Sequence, residues 1–255
     1  MFTASPFELT SMGYKKTTRA LTLVELLAVI TVGTVLGSVL IPALWNTYVS
    51  SSTAVSAHVL EQLSIAGHTY LADNNNAYWK YSDPSPDGMQ YWFGLDRSGT
   101  SVPEGHRVLD MSRGPLGPYI ALSGGFRHDT SFVQSGIAFK PKYKNGYFAF
   151  GYNSLLQDTR ITSLSNPGKV VVFATSAQVN TFQSPASWKR PMLEEFYLIN
   201  DKEYTVHFRH NGKAMVAYAN GSVGLLSMDE STRDPRMPKA NVGRFAPVGS
   251  KLYLQ

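Results

Sequence analysis

Six histidines, no cysteine and a thin scatter of acids are the side chains with which this 255-residue chain could do chemistry. Without cysteine there is no disulfide, no thiolate metal site and no sulfur nucleophile. His207 and His210 stand in "HFRH", an i, i+3 spacing that would suit a helix. The segment reads as a strand, where the two face opposite sides, and no acidic third ligand lies near. His58 and His68, ten apart, share no helix face. "DNNN" at 73–76 and "DPSPDG" at 83–88 are rich in oxygen ligands, but neither has the D-x-D-x-D-G spacing of a calcium loop. There is no G-x-S-x-G, no phosphate-binding glycine loop and no H-E-x-x-H. The chain is therefore expected to have no catalytic residues, no resident metal and no cofactor.

One acid stands apart from the rest. Glu25 sits just inside the N-terminal end of an apolar run, Leu21 to Leu44, and no charge follows it from Leu26 to Ile41. About 20 largely apolar residues suffice to span a bilayer. A charged side chain within such a span costs about 2.5–3.5 kcal/mol on insertion scales and usually has a partner. The sequence as written supplies none. Lys15, Lys16 and Arg19 precede the run, and no Lys or Arg occurs between Arg19 and Lys80. The positive-inside rule then puts the N-terminus in the cytoplasm and the remainder across the membrane. A secretory signal fits less well, because its apolar region is about 7–15 residues long and the nearest small-residue site, "AVSA" ending at Ala57, lies beyond the run. The net charge of +5 is partly this flank: beyond residue 20, 20 basic against 17 acidic side chains leave +3. That excess is too weak and too scattered to predict a nucleic-acid partner.

"KKTTR", then Ala20 and "LTLVE", Leu21 to Glu25, resembles the class III signal of type IV prepilins and of the pseudopilins of type II secretion. The resemblance implies a leader of residues 1–20 cut off by a prepilin peptidase between Ala20 and Leu21, with methylation of the new Leu21 amine. It marks Thr22 and Leu23 as motif positions, and Glu25 as the carboxylate that pairs with the amine of a neighbouring subunit during assembly. Pro42 falls twenty-one residues after Leu21, where many pilin helices carry a kinking proline. Gly33 and Gly37 add a G-x-x-x-G spacing, which lets another helix approach closely. The implied protein is a structural pilin-like subunit without enzymatic activity. Its implied partners are the peptidase, itself and other pseudopilins, the inner-membrane assembly platform and membrane lipid. The implied location is the bacterial inner membrane, single-pass, with the C-terminal domain periplasmic or in an extracytoplasmic filament. A type IV pilus subunit is the alternative within the family. An uncleaved, membrane-anchored carbohydrate-binding domain is the alternative outside it. Some pseudopilins stabilise the C-terminal domain with calcium, so a surface loop is where that ion would go.

The expected fold is α+β of the pilin type: a helix over 21–75, transmembrane over about 21–44, packed on an antiparallel sheet domain over 76–255. Val49, Thr53, Ser56, Leu60, Leu63, Gly67 and Tyr70 form an approximate helical stripe, and "DNNN" reads as a helix stop. Residues 77–135 read as loop-rich. Trp79, Tyr81, Tyr91, Trp92 and Phe93 are expected to fill a thin core there, with a stacking platform for bases or sugars as the competing reading. "GYFAFGYN", "KVVVFAT", "YTVHF", "KAMVAYA" and "SVGLLSM" read as short strands of a meander. "YANGSV" predicts a tight primed turn with positive φ at both Asn220 and Gly221. "RHNGKAMVAYANGSVGLL" also resembles the H-x9-DG element of many pilin-like proteins, with His210, Asn220 and Gly221 in its marked positions; there His210 is expected to tie the hairpin's base to its turn.

Overall fold

The computed structural model describes residues 22–99, 101–122, 130–133, 136–144 and 149–253, without the side chains at 42, 43, 45–49, 130 and 133. The chain divides into two units, Met1–Asn46 and Thr47–Gln255.

Helix α1 runs Leu23–Asp73. In its first part, Leu23–Ile41, apolar side chains follow one another with no buried position, a length and composition sufficient to cross a membrane. The few hydroxyls there bond back to the helix itself: Thr31 donates to the Leu27 and Ala28 carbonyls, Thr34 to Thr31 and Ser38 to Val35. Such back-bonding satisfies each hydroxyl within the helix itself. Pro42 lies inside the helix, which does not end there.

The helix stops at the asparagines. Asn75 and Asn76 both take left-handed φ, 54° and 60°. The Asn74 and Asn76 N–H groups donate to the Leu71 carbonyl, and the Asn74 amide donates to the Tyr70 carbonyl. Asparagine tolerates this conformation better than other side chains, so the cluster closes the orphan carbonyls of the last turn.

In the second unit, strands β1 (Ser82–Ser85), β2 (Gly88–Tyr91), β3 (Gly94–Asp96) and β4 (Leu109–Asp110) form a four-stranded antiparallel meander. Helices α2 (Gly117–Leu122) and α3 (Thr130–Val133) follow, and then β5 (Phe150–Asn153), β6 (Val171–Thr175), β7 (Gln178–Asn180), β8 (Met192–Glu194), β9 (Leu198–Ile199), β10 (Val206–His207), β11 (Lys213–Tyr218), β12 (Val223–Ser227) and β13 (Val242–Gly243). The central sheet has the order β12-β11-β6-β5-β9.

This corrects the meander expectation in two ways. The pair β5–β9 is parallel, and "YTVHF" leaves the sheet to pair with β13 through Val206 and His207. Close approach at β9 depends on Gly151: a Cβ there would stand 2.8 Å from the Ile199 side chain. Residues 77–110, expected to be loops, hold the four-stranded sheet, whose strands of two to four residues are too short for a two-residue period to show.

The inner strands of the central sheet, β5, β6 and β11, are buried on both faces. Val170, Val172, Met215 and Ala217 pack in one cluster with Val59, Leu60, Leu63, Ala66 and Leu71 of α1 and with Trp79, Trp92, Phe93 and Tyr152. Their neighbours Val171, Ala174, Ala214 and Val216 pack on the opposite side with Val206, Phe208, Phe245 and Tyr253. Alternate residues point to opposite faces, so a strand covered on both sides reads as an unbroken apolar run, as "VVVFA" and "AMVA" do.

Candidate functional site

The sequence motif at the start of α1 is only partly within the described residues. Ala20 and Leu21, the expected cleavage and methylation positions, lie outside them. Thr22 and Glu25 form a reciprocal pair. The Glu25 carboxylate accepts from the Thr22 N–H and the Thr22 hydroxyl, both at 2.9 Å, while the Glu25 N–H donates to the Thr22 Oγ1 at 3.3 Å. The Leu26 N–H closes the first turn on the Thr22 carbonyl. This is a capping box, in which an acid three residues after a threonine returns to the helix start, where negative charge is favoured. Glu25 therefore has hydrogen-bond donors in its own turn, and the positive charge expected as its partner is not one of them. The T-x-x-E spacing in "TLVE" is the signal that could have shown this cap.

Around that cap the helix is bare. Leu23 is 80% exposed and Ile41 69%, and beyond the adjacent helix backbone no atom of the described residues lies within 4 Å of a Cβ built on Gly33, while such a Cβ on Gly37 meets Ile41. Exposed apolar surface of this extent marks a place of interaction with a membrane or another protein.

The H-x9-NG element comes apart into two sites at opposite ends of β11. His210 opens a tight turn: its N–H and carbonyl exchange hydrogen bonds with Lys213, and the central residues Asn211 and Gly212 take φ of 53° and 77°. The primed Asn-Gly turn thus lies at 211–212. At the other end, the Gly221 N–H donates to the Tyr218 carbonyl and the Tyr218 N–H to Ser222. Gly221 alone there has positive φ, 90°, which makes a longer loop with a glycine bulge and corrects the expectation for Asn220. Asn220 Oδ1 accepts from the Ser222 N–H and hydroxyl.

His210 does not reach that turn. It is buried, with Nδ1 3.4 Å from the Thr53 hydroxyl of α1. The histidine at the Asn220 turn is His68, whose ring nitrogens lie 2.8 Å from the Ser64 carbonyl and 3.1 Å from the Ala219 carbonyl. His58 is exposed, 3.9 Å from Glu61. His207 is buried edge-on to Phe132, with Arg209 3.3 Å from its Nδ1. Six residues of strand extend about 20 Å, so His210 and Asn220 cannot share one ligand.

The aromatic residues at 79–93 fill the core, as expected, and form no stacking platform. Trp79, Trp92 and Phe93 are buried: Trp79 stacks on Phe173, Phe93 lies face to face with Tyr197 at 3.9 Å, and Tyr81 and Tyr91 meet edge to face. In "DPSPDG", Asp83 is held by Lys80 at 3.0 Å and Asp87 by Arg113 at 2.8 Å. Among the described residues no group of three His, Asp or Glu side chains is placed to hold a metal ion.

What sequence reasoning missed is a set of buried charges beside β7 and β8. Glu194 accepts from Lys142, Gln178 and Asn180, and Lys140 bonds Glu104 at 2.6 Å. Glu195 lies fully buried. One of its oxygens accepts from the Lys142 and Tyr143 N–H groups at 2.6 and 3.0 Å, and the other has no partner among the described residues. Burial pushes this carboxyl up to about 7, against the pull of those backbone donors and with a further push from Glu194. "MLEEFYL" carries no sign of this, since adjacent acids in a strand ordinarily mark a solvated edge.

Compared with protein-family profiles, with characterised proteins and with solved structures, the chain finds no match.

Proposed function

We propose that the chain is a structural, non-enzymatic subunit of a type IV pilin-like filament, most closely a type II secretion pseudopilus. The observation that carries this reading is the bare apolar helix Leu23–Ile41 with one carboxylate, Glu25, just inside its N-terminal end. A prepilin peptidase would cut after Ala20 and methylate Leu21, leaving a positive amine four residues before Glu25.

In a bundle of such helices the amine of one subunit and the Glu25 of another attract far more strongly than in water, and a member left unpaired is heavily penalised. Thr22 keeps the carboxylate hydrogen-bonded until a partner arrives. Helix-to-helix contact, with Gly33 and Gly37 admitting close approach, would build the filament on the assembly platform, while the domain from Thr47 onward faces away from the cytoplasm.

Intact mass of the protein recovered from bacterial membranes tests the processing: residues 1–20 absent and one methyl added is expected, and a full-length N-terminus overturns the reading. Glu25→Ala tests the assembly. It should leave insertion and cleavage intact and reduce incorporation into sheared filaments about tenfold or more, the effect of losing a buried charge pair; normal incorporation removes Glu25 from assembly.

A further inference from the structure

Strands β7 and β8 pair from Gln178 and Glu194 to Asn180 and Met192, and between them the chain makes the loop "TFQSPASWKRP", residues 181–191. This loop is held by its own short-range bonds. The buried Asn180 side chain accepts from the Phe182 and Gln183 N–H groups, both at 3.1 Å, and donates to the side chains of Gln183 and Glu194. The Ala186 N–H donates to the Gln183 carbonyl, and Ala186 is itself buried. Beyond it, Ser187 and Arg190 exchange both backbone hydrogen bonds at 3.0 Å, which sets Trp188 and Lys189 at the tip of a tight turn.

None of those bonds uses the rings. Trp188 is 75% exposed and Phe182 65%, and among the described residues they are the only exposed aromatic side chains. A single exposed apolar side chain is ordinary, but folding does not account for two large rings on one self-supporting loop. Turn centres favour Gly, Asn or Asp, and here a tryptophan and a lysine stand there. The charge is one-sided as well. The loop carries Lys189 and Arg190 and no acid; both cations are exposed, and neither is in an ion pair among the described residues. The acids at its base are already matched: Lys140, which also donates to Gln183, lies 2.6 Å from Glu104, and Lys142 lies 3.1 Å from Glu194.

We infer that this loop is an interfacial anchor, laying Trp188 and Phe182 into the headgroup layer of an anionic phospholipid bilayer with Lys189 and Arg190 on the lipid phosphates. An indole is apolar over its body and polar at its N–H, so it settles at a membrane–water boundary. Basic side chains beside it add attraction to a negatively charged surface. A protein partner is less well served. Binding hot spots sit where surrounding surface shuts out water, whereas Ser187 to Arg190 are all exposed; a fluid headgroup layer closes around such a tip without help. On the proposed topology the span Leu23–Ile41 keeps the second unit of the same chain beside lipid. The inference rests on that span and not on cleavage or filament assembly.

The test uses full-length protein reconstituted into vesicles of phosphatidylcholine, with and without phosphatidylglycerol, whose brominated acyl chains quench tryptophan on contact. The Trp188 signal is the difference between wild type and Trp188→Ala, because Trp45, Trp79 and Trp92 are common to both. That signal should be quenched and blue-shifted in the anionic vesicles and not in the neutral ones, while Trp188→Ala leaves the denaturation midpoint unchanged. Lys189→Gln combined with Arg190→Gln should move the balance between docked and free loop about thirtyfold toward free, read as a return of the signal to its level in neutral vesicles. Quenching that is equal in the two kinds of vesicle, or that survives the double substitution, removes lipid charge as the attraction and overturns the proposal. A discrete protein adduct in place of lipid adducts, from Trp188→benzoylphenylalanine irradiated in bacterial membranes, makes the tip a protein-docking site and overturns it too. If alkaline carbonate strips the protein from the floated vesicles, the span fails and this proposal falls together with the proposed function. Retention in the vesicles without quenching overturns the role of the loop alone.

Discussion

The two parts of helix α1 share a backbone conformation and little else. From Leu23 to Ile41 the helix is apolar on every side and buries nothing, whereas from Val59 to Leu71 it turns one face, Val59, Leu60, Leu63, Ala66 and Leu71, into the main core. The first part is apolar all round, as a helix is when lipid or other helices surround it; the second shows the single stripe of a helix lying on a sheet. Their acids differ in the same sense. Glu25 is capped by its own turn at 2.9 Å, while Glu195, deep in the second unit, depends on N–H groups more than fifty residues away. Local sequence therefore suffices to place one, and only the finished fold places the other.

Substitutions can break that contrast. Leu60→Ala should cost about 2–5 kcal/mol, the usual loss on truncating a fully buried leucine, read as a shift of the denaturation midpoint in detergent; a loss below about 1 kcal/mol would mean that the helix does not contribute to the core. For Glu195 the sign follows from its raised folded-state pKa. Stability from this group is complete below its ordinary value of 4.5 and is lost as pH rises toward about 7. At about 1.4 kcal/mol per pKa unit, wild type should lose about 3 kcal/mol relative to Glu195→Gln across that window; parallel pH profiles of the two proteins would remove the buried carboxyl as the cause. The smallest effect belongs to the bare part. Leu36→Ala should leave the midpoint within about 0.5 kcal/mol, as exposed substitutions do, and a larger loss would show that the apolar part is covered within the single chain.

The same contrast explains what could be read in advance. The helix, its stop at Asp73 and the runs that became β5, β6, β11 and β12 all rest on signals within ten residues: periodicity, asparagines and unbroken apolar stretches. "YANGSV" and "RHNGKA" carry the same dipeptide, yet only Asn211 adopts positive φ, because Asn220 spends its side chain on Ser222 in the longer loop. The parallel β5–β9 pair, the departure of Val206–His207 to β13 and the Glu195 site depend on partners dozens of residues apart, and no local pattern specifies those. His210 and His68 show the limit at single residues: the spacing to Asn220 in sequence pointed to the first, and the helix geometry brought up the second.

Leu252 and Tyr253 bear on the order of events during synthesis. The Asn153 amide donates to the carbonyls of Val171 and Tyr253, the Val171 N–H donates to Leu252, and Tyr253 is wholly enclosed in the second cluster. The end of the sheet where β5 finishes and β6 begins is therefore sealed by residues made some eighty positions later than β6. At about 5–20 residues per second those strands wait several seconds, unsealed, for their cover to leave the ribosome. Sealing of this part of the second unit then follows the translation of Leu252 and Tyr253, and on the proposed topology their passage across the membrane.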